Sequence, residues 1–138
     1  MTIATIAQVR EAIAAALASL SEQAGVRVHA TYPGQVIPPA VVVRRVRTSF
    51  ASQFDGGDTH QMAVSVYVPT SDTVTAQELL DDLVSPTGPR SIIALLDRDQ
   101  SLGGVVRSTN PTSVDEEGLV DLSGIATLSA SVFVTVIV

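Results

Sequence analysis

The sequence predicts an α+β domain: a mixed, mostly antiparallel sheet of about five strands, flanked by an N-terminal helix and two central helices. Three observations predict it. An apolar stripe at helical spacing opens the chain, with Ile6, Val9, Ile13, Leu17 and Leu20 on one side. Two segments, 62–68 and the stretch from about 125 to the end, alternate residue by residue as half-buried strands do. Between them, two Leu- and Ile-rich segments are set off by Pro and Gly breaks, so the elements run α-β-β-β-α-α-β-β. With 138 residues, no internal repeat and no linker, residues 1–138 form one domain.

Each element has a local cause. The first helix, 5–23, starts at a capping box, Thr5 with Gln8, in which each side chain satisfies a backbone N–H of the other, and Gly25 stops it. Val26 to Tyr32 alternates as a strand, and Pro33-Gly34 turns the chain. Pro38-Pro39 bars helix and leads extended into a β-branched strand, Ala40 to Arg47. A polar loop to about His60 precedes the alternating Met62–Val68 strand. Thr75 with Glu78 reads as a second capping box opening a helix with Leu79, Leu80 and Leu83. After the Ser85–Gly88 break, Pro89 suits the first position of a helix carrying Ile92, Ile93, Leu95 and Leu96. Val105 to Val114 is extended with an interruption at Asn110-Pro111, and Asp115–Gly118 reads as a tight acidic turn. The closing strand puts Leu128, Ala130, Val132, Val134 and Val136 on one face and Ser129, Ser131, Phe133, Thr135 and Ile137 on the other.

Composition excludes several classes. Hydrophobic residues make up 46% and charged residues 16%, which is not the balance of a disordered chain. Aromatics are 4% with no Trp, so the core is built from Val, Ile, Leu and Ala. The absence of Cys excludes disulfides, thiolate metal sites and a Cys nucleophile. No apolar run approaches the ~20 residues of a membrane helix, and the expectation is a chain with no signal peptide and no membrane partner.

The net charge of −6 is unevenly spread, and all eight basic residues are Arg, which suggests a high-GC coding source. Residues 27–47 carry +4 through Arg27, Arg44, Arg45 and Arg47, whereas 48–138 carry −9. A basic patch on an acidic body lacks the broad positive field of a nucleic-acid binder. Two readings of the patch stand: arginines on a solvated strand face, or a basic strand that meets a neighbouring subunit's acidic surface.

Signatures of chemistry are missing. No G-x-S-x-G elbow surrounds any Ser, and without Lys no P-loop can be completed; Gly56-Gly57 and Gly103-Gly104 fit turns. His29 and His60 fit structural or surface roles better than catalytic ones. Asp55, Asp58 and His60 match neither a calcium loop nor a zinc pattern. Asp81 and Asp82, adjacent on a helix, point in different directions, and the Asp97/Asp99 and Asp115–Glu117 acids sit on no predicted cleft. The expectation is a protein that is not an enzyme, with no cofactor and no metal. Assembly features remain. Phe50 and Phe54 in a polar loop either fold back or act as interface anchors, and the last strand is a free edge that a neighbour would cover. The candidate interface residues are therefore Arg44, Arg45, Arg47, Phe50 and Phe54.

The layout resembles a known family. An Ala-rich N-terminal helix leads to GVRVHATYPGQVIPPAVVV at 25–43, and MAVSVYVPTSDTVTAQELLDDLVSPTGPRSIIALLDRDQSLGGVV follows at 62–106. With the acidic segment and long closing strand, this is similar, over nearly the whole chain, to the small tail terminator proteins of long-tailed phages infecting actinobacteria. The resemblance is one of layout and short phrases, with no catalytic signature. It implies a structural virion protein at the head-proximal end of the tail, assembled in the host cytoplasm. It implies a homo-hexameric ring that caps the tail tube, ends polymerisation and joins the tail to the head connector. The implied partners are further copies of the chain, the tail tube protein, the head–tail connector (stopper) protein and, as a further candidate, the tape measure protein. It further implies that DNA passes through the lumen without sequence-specific contact; six copies would carry −36, and acids facing the lumen would repel DNA and let it slide. The interface role of Arg44, Arg45 and Arg47 comes from charge and not from the resemblance; strict alternation puts Arg45 and Arg47 on one face and Arg44 on the other. Two alternatives stay open: another connector component, such as a head-completion or adaptor protein, and a small-ligand-binding or enzymatic α+β domain.

Overall fold

A computed structural model describes residues 4–49, 58–70, 73–122 and 124–138. Its elements are α1 (Ile6–Ala16), α2 (Ser19–Ala24), β1 (Arg27–His29), β2 (Ala40–Ser49), β3 (Thr59–Pro69), α3 (Thr73–Val84), α4 (Ile92–Asp97), β4 (Ser108–Leu122) and β5 (Ile125–Ile137). The five strands make one sheet in the order β1-β2-β3-β5-β4, parallel only between β1 and β2; the closing strand β5, expected to be a free edge, is instead interior, because β3 and β4 pair with its two sides. This is the expected α+β class, a mixed and mostly antiparallel sheet with an N-terminal helix and central helices.

The capping box forms as read: the Gln8 N–H donates to Thr5 Oγ1 at 3.2 Å, and the Thr5 N–H donates to Gln8 Oε1 at 2.8 Å. The expected single helix is two. Around Leu17 and Ala18 the backbone bonds shift to three-residue spacing, tightening the turn between α1 and α2. In that tighter winding residues three apart eclipse, so Leu20 stays on the same side as Leu17, and both are fully buried. Gly25 ends α2 in the left-handed conformation, φ 65°, as its position suggested.

Two other helix starts differ from expectation. α3 is already running at Thr73, so Thr75 lies inside the helix and does not cap it. α4 starts after Pro89: Ser91 is its cap, accepting from the Ala94 N–H at 3.0 Å and donating back to the Ser85 carbonyl. That second bond ties the cap to the preceding turn, which is why buried Ser91 rather than Pro89 sets the start.

The helices cover one face of the sheet. Val41 and Val43 of β2, Met62 to Val68 on alternate positions of β3, and Ala130 to Val136 on alternate positions of β5 meet Val9, Ile13, Leu80, Leu83, Ile92 and Leu96 in one apolar cluster. The alternation expected for β3 and β5 holds. The opposite face carries Ala63, Ser65, Tyr67, Ser129, Ser131 and Phe133, paired by register across β3 and β5.

β4 corrects the reading of the acidic segment. Asp115–Gly118 is not a turn but a bulge inside a fifteen-residue strand. A second irregularity follows Pro111, so Asn110-Pro111 bends the strand without ending it, as an edge strand permits. The reversal comes instead after Leu122, which pairs with Ile125 across a two-residue turn containing Gly124 at φ 83°.

Candidate assembly interface

The basic strand does not present its arginines as simple alternation predicts. β2 bulges against β3: Arg45 pairs with Met62 and Arg47 with Gln61, leaving Val46 as the extra residue. One extra residue reverses the alternation beyond it. Arg44 and Arg47 therefore share the open face with Ala63 and Gln61, and Arg45 lies on the helix-covered side with Met62. The expected pairing of Arg45 with Arg47 on one face is corrected to Arg44 with Arg47.

Hydrogen bonds agree with this placement. Arg44, half-buried, donates from Nε to Ser65 Oγ at 2.9 Å on the open face, and Ser65 in turn lies 3.3 Å from Ser131 Oγ. Arg45 donates to Thr48 Oγ1 at 3.2 Å, and Thr48 shares a 2.9 Å hydrogen bond with His60 Nδ1 on the other side. Burial pulls the His60 pKa down; nearby Asp58 opposes this and the Arg45 charge adds to it. Arg45, Val46 and Arg47 are exposed, with Val46 at 44%. Phe50 and Phe54 lie outside the described residues, as does Asp55.

The edges of the sheet differ in charge. β1 pairs with β2 only over Ala40–Val42, so among the described residues no strand covers the outer edge of β2 from Val43 to Ser49. That uncovered stretch holds three Arg and no acid. At the other limit of the sheet, β4 holds four acids and no base. Asp115 pairs with Ser131 and so takes the open face; Asp121 pairs with Ala126 and takes the helix-covered side. Both are exposed, and Leu119 between them is 70% exposed. The Leu119–Asp121 stretch was missed in the sequence because the acidic run before it looks like a turn. Gly124, at the reversal between Leu122 and Ile125, is the signal that locates it.

The recesses are shallow. One, of about 360 Å³, lies on the open face between Tyr32, Arg44, Tyr67 and Val120. The Tyr67 hydroxyl lies 3.3 Å from that of Tyr32. Its pKa is pushed up to about 12, first by burial and then by the Tyr32 hydroxyl. Another, about 560 Å³, is apolar and lies between α1 and the 98–105 loop. That loop is held by Asp99, which accepts from the Ser101 hydroxyl at 2.6 Å and the Gly103 N–H at 2.8 Å; these bonds lower its pKa, the Ser101 hydroxyl most. Among the described residues no three metal-ligating side chains converge, and no helix is long and apolar enough to cross a membrane.

No family model and no curated protein matches the chain.

Proposed function

We infer that this chain is a structural protein that assembles head-to-tail with copies of itself into a closed ring, and that the ring is the hexameric terminator of a phage tail. The observation that carries the reading is the separation of charge across one sheet, with arginines on the uncovered part of β2 and acids on β4. Opposite charges on different patches favour a heterologous contact, and repetition of such a contact closes into a ring when the rotation allows. The layout resemblance supplies the tail: the ring would cap the tube, stop its growth and receive the head connector, with DNA passing through without sequence-specific binding.

The test has two parts. Light scattering after size exclusion, with negative-stain images of the peak, should give a mass near six subunits and ring-shaped particles. Added to polymerising tail tube subunits, the ring should arrest elongation. A ring that leaves tube growth unchanged and binds the portal side would replace the terminator with a head-completion or adaptor component.

A further inference from the structure

We propose that the ring contact is a strand pairing: the edge of β2 at Arg45–Ser49, which no strand covers among the described residues, receives the edge of β4, Gly118–Leu122, of a second copy, so that the sheet runs on from subunit to subunit. This rests on the head-to-tail reading above and adds which backbone edges meet.

The direction of the strands permits it. β2, β3, β5 and β4 are antiparallel in succession, so β2 and β4 point opposite ways within one subunit. A copy displaced along the sheet in the same orientation brings its β4 beside β2 antiparallel, with helix-covered sides aligned. The lengths agree as well. With Val46 as the extra residue, Arg45 to Ser49 covers four ladder positions, roughly 13 Å at strand rise, and fits within the five of Gly118 to Leu122, roughly 17 Å. Beyond the bulge at Asp115–Gly118, β4 pairs with β5 without irregularity to the turn, so its outer edge there is straight.

Charge selects among the possible pairings. Two β4 edges would set acids against acids, and two β2 edges would set arginines against arginines. Only β2 against β4 joins opposite signs. Arg45 and Asp121 share the helix-covered side and can stand opposite each other in the paired segments, while Asp115, on the open side beyond the bulge, adds to the negative charge of the same edge. Exposed Val46 and Leu119 would be covered by the same contact. The bulges, Pro111 and the acids of β4 thus blunt the edge against indiscriminate pairing and leave its regular end for a basic partner.

The backbone is tested separately. Because Leu122 pairs with Ile125 across a two-residue turn, ladder bonds alternate from there, and the Leu119 and Asp121 N–H groups point outward. Leu119→Pro removes one outward donor and none of the β4–β5 bonds.

The experiment uses the full-length chain and its charge-swapped variants, read by light scattering. R45E/R47E alone and D115R/D121R alone should each lose the assembled mass while keeping the wild-type circular dichroism. Mixed in equal amounts they should recover it, since every contact in an alternating ring then joins opposite charges. Leu119→Pro should lose the assembled mass with both arginines and acids intact. Assembly weakened by about 1 M salt, where the Debye length is about 3 Å, is expected for wild type. If both charge variants assemble as wild type does, or their mixture stays unassembled, the strand pairing is overturned while wild-type rings keep the head-to-tail reading intact. If wild type and the mixture assemble but wild type does not stop tube growth, the pairing stands and the terminator reading fails. A wild type that stays monomeric overturns both.

Discussion

The two faces of the sheet are built on different principles. One is a continuous apolar layer of Val, Met and Ala closed by helices, with every side chain from Val64 to Val136 in the cluster buried. The other mixes buried Ala40, Val42 and Ala63 with small hydroxyls: Ser65, Ser129 and Ser131 are buried, and Arg44 and Tyr67 reach over them. The first face is held by area removed from water, which is insensitive to detail as long as volume is kept. The second is held by hydrogen bonds whose partners must all be present. Stability should therefore concentrate on the first face, with sensitivity to ionisation at Tyr67 of the second face and at His60, where β3 begins on the helix-covered side.

The largest expected effect is on the apolar face. Leu80→Ala in α3 opens a cavity against β3 and β5 and should cost about 2–5 kcal/mol in denaturant unfolding. A loss below 1 kcal/mol would show a layer loose enough to collapse, and the contrast between faces would disappear. On the open face Ser65→Ala removes the acceptor of the Arg44 Nε bond and should cost about 1–2 kcal/mol. Equal losses from the two substitutions would place the faces on one footing.

Smaller effects follow from ionisation. His60 has a lower proton affinity folded than unfolded, because burial disfavours its charge. As pH falls through the ordinary value of 6.5 the unfolded chain protonates first, so stability should decline below that value and continue down to the folded pKa. Melting temperatures of wild type and His60→Asn across this window should converge toward low pH; a wild type with no acid-side loss beyond that of the variant contradicts the assignment. The smallest effect is spectroscopic. Tyr67 should ionise near 12 in an ultraviolet titration, and Tyr32→Phe should lower that midpoint only in part, since burial is the larger cause. Because the folded pKa is the raised one, the associated stability is whole below pH 10 and is lost as pH rises toward 12.

Much of the architecture was legible locally. The Thr5–Gln8 box, the Gly25 stop and the alternation of β3 and β5 each depend on neighbours within a few residues. The candidate interface was legible only in its charge. That Arg45 and Arg47 part company depends on a bulge, and a bulge is a relation between β2 and β3, not a property of either. The acids of β4 look like a turn because Asp, Glu and Gly favour turns, yet pairing with β5 draws the segment into the ladder.

The sequence by itself determined the fold class, the face that each residue of β3 and β5 shows, and the uneven distribution of charge, because side-chain period and composition are properties of the chain alone. Only the tertiary structure decided that the arginines and the acids belong to strands at opposite sides of one sheet, which arginine faces which way, and which backbone edges no strand covers among the described residues. Strand order and register are set by long-range pairing, where a single extra residue turns every later side chain to the other face.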